Sequence, residues 1–598
     1  MQYFGLRILI GFVTGLVIGL ALGVDLSILP QYIGLVLLFS LTIGLAIGIG
    51  RYINHVFKGE KTGLDFLAPL DQLLYRLGGI DPDESMNWRQ YAVALLTING
   101  LWFVYGFVLL LVQASIPIWN QQGIPSMEWT LALNTTISFL TSTNLQHYSG
   151  ENGATYFTQI AVLTFLQFVS AGTSLAVGVA AVRSLQDKTS TSVGNFYQDF
   201  VLSITRIFLP LSVLGAVLLM FTGVPMTFDP YSIIKTLDGV DQTVAQGPVA
   251  AMLPIKHLGS NGGGFFGTNT AHPFENPSFV SYIINLINVM VLPLAFVCFV
   301  GYFLNRRKLA MILFTVMTGC WLALTIPTIQ QELAGNVAIN QMGINQSAGS
   351  LEGKEIRFGV LASAFWCGVN VVIPAGTLTS MHDSYTPLSG VFMLLGMQVD
   401  AFYGGVGTGF LYMFLYIIIA IFIGSLMIGR TPELLGKKVG IPEIQIASFV
   451  IVIMPLLYVG ATGLAVAIQN VNPDIGWLSN GNARPPGFHG FTTILYEYVS
   501  SAAGNGSGFE GLGDNTPFWN LSTAVVMFGG RFIPLIGPLA IAGILFEKHY
   551  MPPTLGVLPT ESYTFGLLLT AIIVIIGALC FFPALAIGPI AEYLTQVK

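Results

Sequence analysis

Four short stretches of this sequence are polar or glycine-rich although long apolar runs surround them. They are Thr141-Ser142-Thr143-Asn144-Leu145-Gln146, Gly259-Ser260-Asn261-Gly262-Gly263-Gly264-Phe265-Phe266, Pro374-Ala375-Gly376-Thr377-Leu378-Thr379 and Ala502-Ala503-Gly504-Asn505-Gly506-Ser507. Their side chains are mostly small, so what they mainly offer a ligand is backbone. Glycine adopts conformations that other residues avoid and leaves carbonyl oxygens accessible. Non-helical backbone at membrane depth is tolerated only inside protein or beside a water-filled cavity. The chemistry this implies is cation coordination by peptide oxygens. No nucleophile–base pair stands out that would imply covalent catalysis.

Elements of limited length must position these turns. Each turn follows a partly apolar, helix-like piece, at 131–140, 247–258, 358–373 and 491–501. A helix of about 12 residues is ~18 Å long, which reaches only partway through a ~30 Å hydrocarbon core. Each piece must therefore enter and return as a re-entrant hairpin. The turns recur roughly every 115–130 residues, so span, short helix, polar turn and span form a unit present four times. Four such hairpins can surround one axis. Their helix C-termini would aim partial negative charge at the centre, and their turns would present carbonyls to a monovalent cation stripped of water. Potassium sheds its hydration shell more readily than sodium, which favours it in principle.

The rest of the chain agrees with a membrane setting. Of 598 residues 54% are hydrophobic and 9% charged, with a mean hydropathy of +0.73; soluble domains carry about 25% charged residues. The net charge of -6 is small and dispersed, and no basic run with interleaved aromatics suggests nucleic acid. Apolar runs at 31–50, 91–113, 157–182, 201–223, 279–304, 309–330, 409–428, 446–468, 518–545 and 563–584 are each near the ~20 residues a crossing needs. A further run at 8–24 makes eleven, or ten if Ala21-Leu22-Gly23 is a cleavage site; a retained helix is the favoured reading. The expected fold is an all-α polytopic membrane protein. It comprises an N-terminal hydrophobic segment (1–30), a first span with its cytoplasmic loop (31–90), four repeats (91–183, 201–304, 309–428, 446–545), and a final span with an external tail (563–598). Lys and Arg collect in alternate loops, placing 51–90, 183–206, 306–308, 430–438 and Lys548 in the cytoplasm and the C-terminus outside.

Isolated residues invite other readings. Gly262-Gly263-Gly264-Phe265-Phe266-Gly267 fits a G-x-G-x-x-G pattern but lacks the preceding strand that nucleotide binding needs. Asp187-Lys188-Thr189-Ser190 only faintly resembles a P-type phosphorylation motif and reads as a polar loop. Glu128, Glu151, Glu275, Glu510 and Asp514 lie near the outer mouths and could concentrate cations there. His147, His257, His272, His382 and His489 fit no familiar metal spacing and read as structural hydrogen-bonding residues. Cys298, Cys320, Cys367 and Cys580 read as small hydrophobes within helices. Arg531 lies inside an apolar span, where an arginine is costly and faces a partner or a wet cavity.

Several runs together resemble one family. They are Met86-Asn87-Trp88-Arg89-Gln90-Tyr91, the second turn, Ala271-His272-Pro273-Phe274-Glu275-Asn276-Pro277, Met381-His382-Asp383-Ser384, Met427-Ile428-Gly429-Arg430-Thr431-Pro432-Glu433 and Asn515-Thr516-Pro517-Phe518-Trp519-Asn520. From residue 31 onward the chain is similar to KdpA, the potassium-binding subunit family of the Kdp potassium-transporting P-type ATPase. The resemblance implies a multi-pass subunit of the bacterial inner membrane that binds external or periplasmic potassium in a filter. The ion would pass sideways to a KdpB-like catalytic subunit, with KdpC-like and small KdpF-like chains completing the complex. ATP and magnesium would belong to the partner. By motif, the potassium-binding positions would be Ser142, Thr143 and Asn144; Ser260, Asn261 and Gly262; Ala375 and Gly376; and Asn505 and Gly506. Gln146 and Arg531 would support filter and tunnel, and the glycines of 396–409 would interrupt the helix after the third hairpin. Residues 8–24 extend beyond the family's usual core, and the third and fourth turns depart from its usual wording. A self-contained Trk- or Ktr-like transporter is the alternative within the same fold. A membrane oxidoreductase would need paired intramembrane histidines, and none is visible.

Overall fold

The computed structural model describes residues 29–186, 189–471, 487–551 and 558–597. The run at 8–24 and the Asp187-Lys188 pair lie outside the described residues. Ten helices among the described residues are long and apolar enough to cross a membrane. In chain order, with the shorter helices between them, they are α1 (Leu29–Phe57), α2 (Trp88–Ser115), α3 (Trp129–Leu140), α4 (Tyr156–Ser184), α5 (Phe196–Met220), α6 (Val249–Leu258), α7 (Phe279–Phe303), α8 (Arg307–Gln341), α9 (Gly359–Val372), α10 (Pro387–Val399), α11 (Thr408–Met427), α12 (Ile441–Ile468), α13 (Gly487–Ala503), α14 (Pro517–Glu547) and α15 (Tyr563–Val597). The chain is a multi-pass, all-helical membrane protein, as its sequence predicts. A two-stranded hairpin, Ser232–Lys235 paired with Asp241–Val244, decorates the segment before α6.

The order span, short helix, span recurs four times: α2-α3-α4, α5-α6-α7, α8-α9-α10/α11 and α12-α13-α14. Local chemistry fixes where the elements start. Asn87 caps α2 through a reciprocal capping box with Gln90, and Ser278 caps α7 in the same manner with Ser281. Glu128 caps α3, its Oε2 accepting from the amides of Thr130 at 2.7 Å and Leu131 at 3.1 Å. This corrects one expectation: Glu128 neutralises a helix N-terminus and is no free mouth charge.

The third repeat differs from the others. Its second span is broken between Val399 at the end of α10 and Thr408 at the start of α11. Asp400, Tyr403, Gly404 and Gly407 all take positive φ across the break. Gly404 and Gly409 sit so close that a Cβ on Gly409 would lie 1.6 Å from the Tyr403 carbonyl oxygen. The glycine-rich composition of 396–409 is therefore a steric requirement of an unwound turn.

Charged residues gather at one end of the bundle. Arg183 holds Asp199 with two nitrogens at 2.7 and 2.8 Å, and Arg206 binds Asp71 through its Nε at 3.0 Å. Lys548 reaches Glu443 at 2.6 Å, and the Ser190 amide donates to the Phe546 carbonyl at 3.0 Å. At the opposite end, His489 of α13 bridges Asp383 and Glu592, which ties the end of α15 to the hairpin side. The C-terminal helix therefore ends on the side from which the hairpins enter, as the charge pattern predicts.

That bridge carries a pH dependence. Hydrogen bonds to Asp383 at 3.0 Å and Glu592 at 2.9 Å lift the His489 pKa to about 10, against the opposing effect of burial. Because the folded value exceeds the ordinary ~6.5, the linked stability is fully present below pH ~6.5 and is lost as pH rises through about 10. The ring is partly exposed, so solvent keeps the effect small. Thermal unfolding of wild type should fall more between pH 6.5 and 10 than that of His489→Gln; equal falls in the two proteins would contradict the assignment.

Candidate ion site at the four-turn ring

The C-terminal ends of the four short helices α3, α6, α9 and α13 lead into the four turns, and the turns meet one another in cyclic order. A Cβ on Gly262 would lie 1.9 Å from the Ala375 carbonyl oxygen, on Gly376 2.0 Å from that of Asn505, and on Gly506 1.9 Å from that of Thr143. Second meets third, third meets fourth, and fourth meets first. Side chains close the remaining seam: Ser142 Oγ lies 2.6 Å from Asn261 Oδ1, and Asn144 Nδ2 donates to the Gly262 carbonyl at 2.9 Å. The four hairpins inferred from the sequence thus form one ring. The third and fourth turns keep the same spacing despite their unusual wording.

Local hydrogen bonding explains why carbonyls are left over. The amides of Thr143 and Asn144 both donate back to Ser138 O at 3.0 and 3.1 Å, and those of Asn261 and Gly262 to Lys256 O at 3.0 and 3.2 Å. Asn505 N donates to Ser500 O at 2.9 Å. In the third hairpin a side chain does the work, Asn370 Oδ1 accepting from Thr377 N at 2.9 Å. Turn amides are consumed by their own helix ends. Among the described residues, the carbonyl oxygens of Thr143, Asn261, Ala375 and Asn505 accept no hydrogen bond. Buried backbone acceptors are nearly always paired, so these four, at equivalent positions of one ring, are free to accept from or coordinate a ligand.

Backbone strain concentrates here as well. Ser142, Asn144 and Ser260 adopt φ of 61°, 54° and 51° although none is glycine, a conformation that persists only where surroundings enforce it. The enforcement is visible. Asn261 donates to Gln167 O at 3.1 Å and Ile255 O at 3.2 Å while accepting from Ser170 Oγ at 2.8 Å. Asn505 Nδ2 donates to Asn370 O at 2.8 Å, and Asn269 Nδ2 to Gly376 O at 3.0 Å.

Beyond the ring lies a cavity bordered by the residue before each key carbonyl: Ser142, Ser260, Pro374 and Gly504. Its other walls include Asp400 from the helix break, Thr408 and Tyr412 of α11, and Arg531 of α14. Arg531 Nη2 donates to Ser170 O at 3.2 Å and also bonds Ser174 Oγ, so it is pinned to α4 of the first repeat. Asp400 was not legible as a site residue in the sequence. Its carboxylate is buried, Oδ1 has no hydrogen-bond partner, and its backbone φ is 47°. The available signal is an acid four residues before a glycine-rich run, inside an otherwise apolar stretch.

Other expected residues fall elsewhere. Gln146 sits past the ring, where its Oε1 accepts from Gly264 N at 2.7 Å, bracing the limb after the first turn against that after the second. Glu275 is no mouth charge. It is fully buried, pairs with Lys256 at 2.6 Å, and accepts from the amides of Phe265 at 2.8 Å and Phe266 at 3.2 Å. Glu151 is engaged too, accepting from Gly267 N at 2.7 Å, whereas Glu510 is exposed and Asp514 half-buried. The histidines are hydrogen-bonded in the main: His257 to Thr377 Oγ1 at 3.0 Å, and His382 to the Tyr496 hydroxyl at 2.7 Å. His272 accepts from the Phe274 amide through Nδ1 at 3.1 Å and also stacks on Phe266 at 3.8 Å. The cysteines form no disulfide.

A bundle of membrane spans in which four half-length hairpins converge on a ring of backbone carbonyls is the architecture of ion-transporting membrane proteins. Comparison narrows the class. Residues 36–594 match the family Potassium-transporting ATPase A subunit, KdpA. The chain is 50% identical to the "Potassium-transporting ATPase potassium-binding subunit" of Flavobacterium johnsoniae over 94% of this chain and 99% of that one. It is 46% identical to the protein of the same name in Bacteroides fragilis over 92% of this chain and 96% of that one. This chain belongs to the KdpA family. The crystal structure of the potassium transporter TrkH from Vibrio parahaemolyticus superposes over 83% of this chain and 96% of that one, with 13% identity and a TM-score of 0.48.

Proposed function

We propose that this chain captures external potassium in the four-turn ring and delivers it to an ATP-hydrolysing partner, as the non-hydrolytic subunit of a primary-active potassium pump in the bacterial inner membrane. The observation that carries the reading is the set of four unpaired carbonyls at equivalent ring positions, with one cavity beneath all four turns. Ser142, Thr143, Asn144, Ser260, Asn261, Gly262, Ala375, Gly376, Asn505 and Gly506 supply that ring. Their peptide oxygens replace a cation's water at little reorganisation cost, because the helix ends and Asn side chains already hold them in place. Three of the ring glycines bring carbonyl and neighbouring backbone so close that a side chain has no room.

Below the ring the ion meets fixed charges of both signs. Arg531 raises the barrier to a cation on its own side of the cavity, and Asp400 offers a carboxylate at the break between α10 and α11. An exit beside that break, toward a partner in the membrane, is the route these charges favour. The names of the relatives describe a subunit of a potassium-transporting ATPase, and this supports a KdpB-like catalytic partner with KdpC-like and KdpF-like chains. ATP and magnesium then bind the partner.

Purification from the native membrane tests the reading. A P-type ATPase should co-purify, with potassium-stimulated, vanadate-sensitive ATP hydrolysis. The isolated chain should bind potassium without hydrolysing ATP. Sustained potassium accumulation by this chain alone in vesicles, driven by an ion gradient, would instead identify a self-contained transporter.

A further inference from the structure

Away from the potassium-binding ring, three side chains from two different hairpins converge. His147 follows the first turn, Glu497 lies on α13, and Asp514 follows the fourth turn. Their ligand atoms all lie within 4.8 Å of one another. His147 Nε2 is 3.4 Å from Glu497 Oε1 and 3.9 Å from Asp514 Oδ2. The side chains of His147 and Glu497 are 0% and 1% exposed, and neither Nε2 nor Oε1 makes a hydrogen bond. They form an ion pair only when the ring is protonated; with a neutral ring, two buried polar atoms face each other without a hydrogen bond.

The surroundings prepare the imidazole as a ligand. His147 Nδ1 lies 2.6 Å from Asn520 Oδ1. The Asn520 amide is oriented by its own donation to Thr130 Oγ1 at 3.1 Å, and Thr130 in turn bonds Glu128. An amide oxygen only accepts, so Nδ1 carries the proton and donates, and Nε2 is directed at the two carboxylates. A ligating histidine held by an outer acceptor through its other nitrogen is the usual way a protein fixes tautomer and ring orientation at a metal.

From these residues we propose that His147, Glu497 and Asp514 form a site for a divalent transition-metal cation of the zinc class, which clips the first hairpin to the fourth at the outer side of the ring. One nitrogen and two carboxylates suit zinc, whereas calcium and magnesium prefer all-oxygen shells of six or more ligands. Tetrahedral ligands at zinc bond lengths of ~2.0–2.2 Å stand about 3.4 Å apart, which matches the His147–Glu497 separation. A small rotation of the Asp514 carboxylate completes the set. Asp514 is 29% exposed and gives the cation a way in from solvent. Any proton on Nε2 leaves to solvent as the metal binds. Arg183, Lys256 and Lys354 are committed to their own carboxylates elsewhere, and among the described residues no lysine or arginine pairs with Glu497 or Asp514, whose basic neighbour is His147.

The test uses the full chain purified from membranes with its accompanying subunits, stripped with chelator and titrated with Zn²⁺ alone. One high-affinity equivalent more is expected in wild type than in His147→Gln or Asp514→Asn, with at least a 10-fold loss of affinity in each variant. Zn²⁺ should also raise the unfolding temperature of wild type and not of the variants. His489→Gln, a histidine between two other acids, should keep the wild-type response. Asp514→Asn alters a partly exposed residue and keeps the test decisive if His147→Gln fails to fold. Equal Zn²⁺ stoichiometry in wild type and both variants, or no Zn²⁺-dependent stabilisation of wild type, would overturn the proposal.

Discussion

Replacing Gly262 by Asp should weaken potassium binding by about 100-fold or more, equivalent to about 2.7 kcal/mol, and should reduce uptake accordingly. The first added atom, Cβ, would fall 1.9 Å from the Ala375 carbonyl oxygen and 2.7 Å from Gly376 Cα. Neither neighbour can yield cheaply, since both belong to the backbone of the next turn. The φ of +76° is a second obstacle for any side chain. Either the second turn collapses or the third is pushed off the axis, and in both cases two of the four carbonyl positions are lost. Gly506→Ala should act similarly from the opposite seam, where Cβ would meet Thr143 O at 1.9 Å. Potassium titration of the purified variants is the measurement. Wild-type affinity in Gly262→Asp would remove this ring from consideration as the ion site.

The second large effect concerns folding. Glu275→Gln should destabilise the protein by about 3–5 kcal/mol, the usual consequence of stranding one member of a buried ion pair. Lys256 and Glu275 are both 0% exposed and 2.6 Å apart. The Lys256 carbonyl also receives the amides of Asn261 and Gly262, so one residue anchors the second turn with its backbone and the limb after it with its side chain. Removing the negative charge leaves an ammonium in a site closed to water. Lys256→Met combined with Glu275→Gln should recover much of the loss, because no lone charge remains. Denaturation of Glu275→Gln, Lys256→Met and the double variant in detergent measures this, and additive losses in the double variant would contradict the pairing.

The architecture was legible because membrane depth leaves few options. Apolar pieces too short to cross, each ending in glycine or small polar residues, had to be hairpins, and α3, α6, α9 and α13 lie close to where the pattern puts them. Arg531 was legible for the same reason: an arginine in an apolar span must face something polar. What it faces was not, since Ser170 and Ser174 lie 361 and 357 positions away along the chain. Glu275 misled because a sequence shows that an acid lies in an external segment and not that two backbone amides turn inward to meet it. Asp400 is masked by the neighbouring glycines, whose composition signals the broken helix but not the acid beside it. The His147 cluster was hidden by distance, with 350 positions separating His147 from its nearest carboxylate.

One seam of the ring differs from the other three. Between the first and second turns the contact is made by the amide of Asn144, a residue with a side chain, and not by a glycine pressed against bare backbone. Every other junction has no space for an additional atom, so its chemistry is frozen. An engineer wishing to alter ion preference, or a lineage drifting toward another cation, therefore has a single adjustable quadrant in an otherwise rigid aperture, and variation that preserves transport should accumulate at position 144 before it reaches 262, 376 or 506.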